Sequence, residues 1–143
     1  MICSQTGTVT LGGLVISSNM TEADIGALTS EQRMVHGSGV SYRLRTPGWA
    51  CLVLFVGEAI DSVSLSYQLG HAQTLDEWSA KDERSRCKDH DKWLSLWLGP
   101  PATNQPRWQE HVFSWGTASS GLDPKTGDAS IIVSYGRRDA APG

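Results

Sequence analysis

The segment from Thr74 to Gly99 constrains the fold most, because its pattern predicts one long helix. The Thr74 hydroxyl can accept a hydrogen bond from the backbone of Glu77 while the Glu77 side chain reaches back, an arrangement that begins helices. Gly99 and the two prolines after it end the helix. Large apolar residues recur along the segment, and three- and four-residue steps link the later ones through His90: Leu75, Trp78, Cys87, Leu94, Trp97 and Leu98. We therefore expect a helix from Thr74 to Leu98 that packs these residues on a flat apolar surface.

The middle of this segment, from Lys81 to Lys92, is mostly charged and mixes both signs. Acidic and basic residues three and four apart form pairs that support a helix from its surface. Because such a mixture carries no strong field, it is typical of a solvated helix face rather than of a charged binding face. We expect this stretch to lie in water.

Three strand patterns precede the helix. Apolar and polar residues alternate from Val40 to Arg45, as in a strand with one solvated face. Trp49 to Val56 is continuously apolar, which is typical of a strand covered on both faces or of one at a subunit contact. A homodimer is therefore one of the alternatives. Ile60 to Leu69 alternates again, with a register shift near Asp61. Short turns join the three strands, which predicts an antiparallel meander with the long helix across one face.

The flanking segments predict further elements. Thr8 to Ser17 predicts a first strand that two glycines interrupt, where a bulge or a tight turn is expected. Thr21 can cap a short helix from Glu22 to Leu28, and Thr29 to Gly39 predicts a polar connection. After the long helix, a proline-rich loop leads into a hairpin of two strands joined by a long connection. The loop is Pro100 to Gln109, the strands are His111 to Trp115 and Ala129 to Tyr135, and the turn before the second strand is Asp123 to Gly127.

Together these patterns predict the α+β class. We expect an antiparallel sheet of about five or six strands, with one long helix packed on a face and a short N-terminal helix at an edge. A chain of 143 residues fits one domain. That domain is expected to cover residues 1–143, with residues 136–143 as a flexible tail.

Charge and cysteine content argue against several classes of function. The net charge of −3 disfavours a nucleic-acid binder, which normally shows a basic face. The cysteines, Cys3, Cys51 and Cys87, are too far apart for a metal motif or a disulfide framework, which indicates free thiols in a reducing compartment. The first 18 residues lack the basic and continuously apolar regions of a signal peptide. We expect a cytoplasmic protein that binds neither nucleic acid nor membrane.

Few residues are spaced for catalysis or metal binding. Cys87 and His90 share a helix face, and His111 or His71 could add a third ligand, but a zinc site needs three or four. The acidic neighbours of His90 point in other directions on a helix, which disfavours a catalytic group there. Nucleophile-elbow and phosphate-loop motifs are missing as well. We expect no catalytic residues, no cofactor and no metal, so the chain is predicted not to be an enzyme.

Three stretches carry a resemblance to a known family: Phe113–Tyr135 (FSWGTASSGLDPKTGDASIIVSY), Leu75–Leu94 (LDEWSAKDERSRCKDHDKWL) and Asn19–Leu28 (NMTEADIGAL). They resemble small bacterial immunity proteins that pair with secreted polymorphic toxins. Those proteins combine a Trp-Gly, Asp-Pro-Lys-Gly and Ser-Ile-Ile hairpin with a Trp-rich charged helix in the same order. The resemblance covers most of the chain and implies non-enzymatic toxin binding, although its motifs are turn, strand and core residues. The helix-then-meander order also resembles the β-lactamase-inhibitor-protein-like fold, from which the long helix departs.

Arg107 and Trp108 are the leading candidates for contact with a partner. They are neighbours in a proline-rich loop, and Trp and Arg are enriched at the centres of protein interfaces. The alternative for Trp108 is a lid over the end of the sheet. Charged residues around the same hairpin complete the predicted partner-binding set, namely Glu110, Asp123, Lys125 and Asp128. The carboxylates in this set suit a basic partner.

Two functions from different classes remain open. The first is a cytoplasmic immunity protein that binds and neutralises a cognate toxin, which fits the missing catalytic set and the acidic balance. The alternative is a small-molecule-binding protein or enzyme with a pocket between helix and sheet, lined by Trp and His residues.

Overall fold

The computed structural model describes residues 1–71, 78–105 and 107–136, which form ten strands and two helices. Two short strands form an N-terminal hairpin: β1 (Val9–Leu11) and β2 (Leu14–Ile16). The helices are α1 (Glu22–Gly26) and α2 (Ala80–Leu98). The remaining strands share one sheet: β3 (Met34–His36), β4 (Gly39–Thr46), β5 (Trp49–Val56), β6 (Ala59–Tyr67), β7 (Thr103–Gln105), β8 (Trp108–Phe113), β9 (Gly116–Leu122) and β10 (Ala129–Tyr135).

The main sheet consists of two antiparallel meanders that α2 connects. Its strand order is β3-β4-β5-β6-β10-β9-β8-β7. Strands β6 and β10, the last of each meander, pair in the centre of the sheet, where Val63 lies opposite Val133. Helix α2 contacts β6, β10 and β9, so it lies across the junction of the two meanders. The predicted α+β class, with antiparallel strands and one long helix, is confirmed.

The predicted central meander is confirmed as β4, β5 and β6. The register between β5 and β6 shifts where the sequence predicts it, because Leu54 lies opposite Ser62 while Phe55 lies opposite Ile60. Asp61 is therefore the extra residue of a β-bulge.

The predicted number of strands, five or six, is wrong, because the main sheet alone has eight. The segment from Thr8 to Ser17 is not one strand but the β1–β2 hairpin, and of the two alternatives expected at its glycines the tight turn is confirmed. Strands β3 and β7 lie within the segments predicted as the polar connection and the loop. They lie at the two edges of the sheet, where polar residues are tolerated. Each has only three residues, which is too few for an alternating pattern to be detected.

Strand β9 replaces the long connection that the sequence predicts before Ala129. Its residues, GTASSGL, lack the branched and aromatic side chains that favour strands. Nevertheless all but the last are buried, because β9 lies between β8 and β10 and under α2. Small side chains let the helix approach this strand closely.

Helix α2 begins later than predicted. Ser79 is its N-cap, with extended backbone angles and a hydroxyl that accepts from the Asp82 amide at 3.0 Å. Trp78 therefore precedes the helix, and the predicted start at Thr74 with its Glu77 partner lies outside the described residues. Gly99 ends the helix with a φ of 77°, as expected.

The short helix α1 is confirmed together with its cap. The Thr21 hydroxyl accepts from the Asp24 amide at 3.2 Å, and the Asp24 carboxylate accepts from the Thr21 amide at 2.9 Å. The helix ends at Gly26, two residues before the predicted Leu28, which is exposed. Ile25 anchors α1 in the core.

One face of the sheet carries the core. Helix α2 covers one end of this face and the N-terminal segment covers the other, where the Tyr135 hydroxyl donates to the Gly7 carbonyl at 2.6 Å. On the opposite face Leu52 and Val56 are exposed, so β5 is not covered on both faces by the described residues. Its alternative role at a subunit contact stays a prediction. Neither described helix has the length and apolar character needed to cross a bilayer.

Candidate functional site

Charged residues, rather than a purely apolar stripe, fix α2 to the sheet. Glu83 is only 2% exposed and accepts a hydrogen bond from the Ala129 amide at 2.8 Å. Arg86 is also buried and lies 3.3 Å from the Glu83 carboxylate. The expectation that the charged middle of the helix lies wholly in water is therefore wrong. The reason is that the start of β10 offers Glu83 a buried amide as a partner.

Two tryptophans expected in the core are partly exposed. Trp97 is 41% exposed on α2, and Trp78 lies before the helix, where its indole N–H donates to Asp128 at 2.8 Å. Trp49 is half-buried. Polar groups at Glu83, Arg86 and His90 occupy the helix face that these rings were expected to fill.

His71 bridges two carboxylates on one face of α2. Its Nδ1 lies 2.9 Å from Asp82 and its Nε2 lies 2.7 Å from Asp89. Burial lowers the pKa of His71, but the hydrogen bonds with Asp82 and Asp89 raise it more, so its pKa is above the ordinary value. In the protonated ring both nitrogens donate, one to each carboxylate. The end of β6 is thereby tied to the helix.

Replacing His71 with glutamine is expected to cost more stability in acid than in base. Because the folded-state pKa is raised, the contribution of His71 is complete below the unfolded value of about 6.5 and is lost as pH rises through the folded value. Urea unfolding from roughly pH 5.5 to 9 measures the difference in unfolding free energy between H71Q and wild type. That difference should shrink as pH rises, and D89N should weaken the trend. A difference that grows with pH would contradict the bridge.

His90 is a neutral core residue. Its Nε2 accepts from the Tyr67 amide at 3.0 Å, and its ring stacks on Trp49 with centroids 6.1 Å apart. Burial lowers the pKa of His90 to about 3. Its Nε2 lone pair is therefore already used. Within the described residues, no group of three or more His, Cys, Asp or Glu side chains is arranged to hold a metal ion.

In the buried polar cluster under α2, the Ser120 hydroxyl points to a carboxylate and not to an imidazole. It donates to Asp91, while His111 Nε2 lies near the Gln109 amide, 3.5 Å away. A nucleophile would instead need its hydroxyl directed to the imidazole. Burial raises the pKa of the neighbouring Cys87 thiol to about 11, which makes it unreactive at neutral pH.

A groove of about 430 Å³ lies between α2 and the β7–β8 turn. We name it the cationic groove, and its lining residues are Arg84, Cys87, Lys88, Asp91, Asn104, Gln105, Arg107 and Leu122. Arg84, Lys88 and Arg107 are exposed, and none of them forms an ion pair within the described ranges of the chain. Asp91 is the one carboxylate in this lining; burial raises its pKa, and it accepts a hydrogen bond from the Ser120 hydroxyl. The groove is positive in a chain whose net charge is negative.

Arg107 is held in an unfavourable backbone conformation. Among the described residues it is the one non-glycine with a positive φ, 68°. Its carbonyl accepts from the Leu122 amide at 3.2 Å, which ties the turn to the end of β9. Strained residues of this kind cluster at functional sites, where the surrounding structure maintains them.

The residues predicted for partner contact lie around this end of the sheet but on two surfaces. The Trp108 ring lies on Gly121, where an added Cβ would be only 2.8 Å from it, and remains 40% exposed. Glu110 alternates with buried neighbours and therefore faces the uncovered side of the sheet. Lys125 is exposed in the β9–β10 turn. Arg107 alone of the predicted set lines the cationic groove.

The two predicted aspartates have structural partners. Asp123 accepts from the backbone amides of Lys125 and Thr126 at 2.7 and 3.3 Å, which confirms the predicted turn. Asp128 accepts from the Trp78 indole. Their carboxylates are therefore partly engaged inside the molecule.

A second concave site, the aromatic cavity, lies where α2 meets the ends of β5 and β6. Its volume is about 510 Å³, and its lining residues are Trp49, Tyr67, Asp89, Lys92, Trp93 and Leu96. The centroid of the Trp49 ring lies 4.7 Å from that of Trp93 and 5.2 Å from that of Tyr67. A pocket between helix and sheet is what the second functional hypothesis requires, although His90 lies behind Trp49 rather than in the lining.

The sequence pattern singles out Arg107 but not the other residues of the cationic groove. The signal for Arg84 and Lys88 was their four-residue spacing, which places two basic residues on one helix face. No comparable signal marks Asn104 and Gln105, because their role depends on β7 being an edge strand next to α2. Comparison with protein-family models, curated proteins and solved structures finds no match to this chain.

Proposed function

We propose that this chain is a non-enzymatic immunity protein that neutralises a cognate bacterial toxin by binding an acidic segment of it in the cationic groove. The observation that carries the proposal is the convergence of Arg84, Lys88 and Arg107 on one groove whose lining holds a single carboxylate, Asp91. None of the three cations forms an ion pair among the described residues. Unpaired surface cations in a concave site steer and orient a partner of opposite charge.

The partner is inferred to be a protein rather than a nucleic acid. Three cations in an acidic chain are far fewer than the basic stripe on which nucleic-acid binding depends. The exposed indole of Trp108, next to Arg107, adds the kind of residue that anchors protein interfaces. The resemblance to immunity proteins supports the same class of partner. The acidic segment proposed here differs from the basic partner that the predicted carboxylates suggested, because Asp123 and Asp128 are internally bonded.

Replacing Lys88 and Arg107 together with alanine is expected to weaken toxin binding at least tenfold, which corresponds to about 1.4 kcal/mol. Tagged K88A/R107A, wild type and R43A/R45A are used to capture partners from the native bacterium, followed by mass spectrometry and titration of the captured protein. R43A/R45A changes net charge equally, but its two arginines are exposed on the uncovered sheet face. One toxin-like protein should be retained by wild type and this control and lost by K88A/R107A. Equal retention by all three would contradict the proposal.

Small-molecule binding is the second candidate function. The aromatic cavity supports it, because pockets of about 300–1,000 Å³ lined by aromatic residues with a few polar groups are typical of ligand sites. This site lies on the other flank of α2 from the cationic groove, so the two functions can be tested separately.

A further inference from the structure

We infer that the aromatic cavity binds a small zwitterion that carries a quaternary ammonium group and a carboxylate. The inference rests on the second candidate function and does not depend on toxin binding. It uses the arrangement of three aromatic rings, their free polar groups and the two opposite charges at the rim.

The rings form inclined walls rather than a parallel stack. The planes of Trp93 and Tyr67 are inclined to that of Trp49 by 49° and 55°. At centroid separations of 4.7 and 5.2 Å these rings contact one another, and the three residues together line the cavity. Aromatic faces attract alkylated ammonium groups. A quaternary ammonium has no N–H groups and is weakly hydrated, so aromatic faces compete well with water for it.

The walls are held in place from behind. His90 stacks on Trp49 with its ring plane inclined by only 19°, and the Tyr67 amide fixes His90 through its hydrogen bond. His71 lies edge-on to Tyr67 with centroids 6.0 Å apart. A preformed cavity loses less conformational entropy when a ligand binds.

The polar groups of these aromatic residues are unused. In the described part of the chain the indole N–H groups of Trp78 and Trp115 donate hydrogen bonds, whereas those of Trp49 and Trp93 have no acceptor. They are not among the buried polar atoms that lack partners, so solvent can reach them. We expect at least one of these solvent-accessible donors to pair with the ligand carboxylate.

The rim selects for a ligand with both charges. The Asp89 side chain is 43% exposed, and its second oxygen is left over from the contact with His71 and can meet a ligand cation. Lys92, three residues on, is exposed on the same lining. A cation alone would leave Lys92 without a partner, and a neutral ligand would use neither charge. A zwitterion places its ammonium against the rings and Asp89 and its carboxylate against Lys92.

Calorimetric titration with glycine betaine tests the inference. The matched ligand control is 3,3-dimethylbutanoate, which has the same shape with carbon in place of the cationic nitrogen. Betaine should bind at least tenfold more tightly than this isostere and more tightly than choline, which lacks the carboxylate. If betaine showed no saturable binding up to about 10 mM, its binding would be weaker than millimolar, and the inference would be overturned. Equal binding of the isostere would also overturn it.

Variants locate the site. W93L should reduce betaine affinity at least tenfold, whereas W97L, a partly exposed tryptophan on the same helix outside the cavity lining, should not change it. W93F keeps an aromatic face and should retain part of the affinity, which keeps the test valid if W93L folds poorly. Equal loss in W97L and W93L would place binding elsewhere and contradict the assignment. None of these outcomes depends on the residues of the cationic groove.

Discussion

Replacing Leu94 with alanine is expected to lower the unfolding free energy by about 2–5 kcal/mol, the range for a large-to-small substitution in a core. Leu94 is 0% exposed and belongs to the main apolar cluster under α2. Because α2 lies across both meanders, a cavity at this position loosens the helix from β6, β9 and β10 together. Urea unfolding followed by far-ultraviolet circular dichroism measures the change.

Leu96 provides the matched control on the same helix. It is 71% exposed, so L96A should change the unfolding free energy by less than about 0.5 kcal/mol. Similar losses for L94A and L96A would show that α2 does not pack on the sheet as described.

The second large effect is expected at Glu83. Glu83→Ala should cost about 3–5 kcal/mol, because it removes one partner of a buried ion pair and the acceptor of a buried amide at once. The groups affected are Arg86, 3.3 Å away, and the Ala129 amide at the start of β10. Unfolding in urea at neutral pH gives the value.

Two further variants separate charge from hydrogen bonding. E83Q keeps an oxygen that can accept from the Ala129 amide, so its loss should be smaller than that of E83A. E58A removes an exposed carboxylate in the β5–β6 turn and should stay within about 0.5 kcal/mol. If E83A lowered the unfolding free energy as little as E58A does, Glu83 would not anchor the helix.

The parts of the fold that the sequence predicts correctly are those with a local cause. Strands β4, β5 and β6 show period-two or continuous apolar runs bounded by turn residues, and Thr21 and Asp24 form a cap three residues apart. Strand β9 has no such signal, since Gly, Ala and Ser favour strand structure only when neighbouring strands and α2 bury them. Its position therefore depends on contacts distant in sequence.

The same limit applies to the sites. Glu83 and Arg86 have the pattern of a solvated helix, and only the arrival of β10 makes them buried. Arg107 is identifiable beside Trp108 in a proline-rich loop, but its grouping with Lys88 requires β7 to lie beside α2. The aromatic cavity likewise combines Trp49 and Trp93, which are 44 residues apart in the numbering and meet only in the folded chain.

Growth protection is the most direct test of the central claim that the cationic groove binds and neutralises a toxin. The toxin captured by the wild-type protein is expressed in cells together with wild type, K88A/R107A or R43A/R45A. Wild type and R43A/R45A should restore growth, and K88A/R107A should fail to do so while remaining folded and equally abundant. Full protection by K88A/R107A, or no protection by the wild-type protein, would contradict the account.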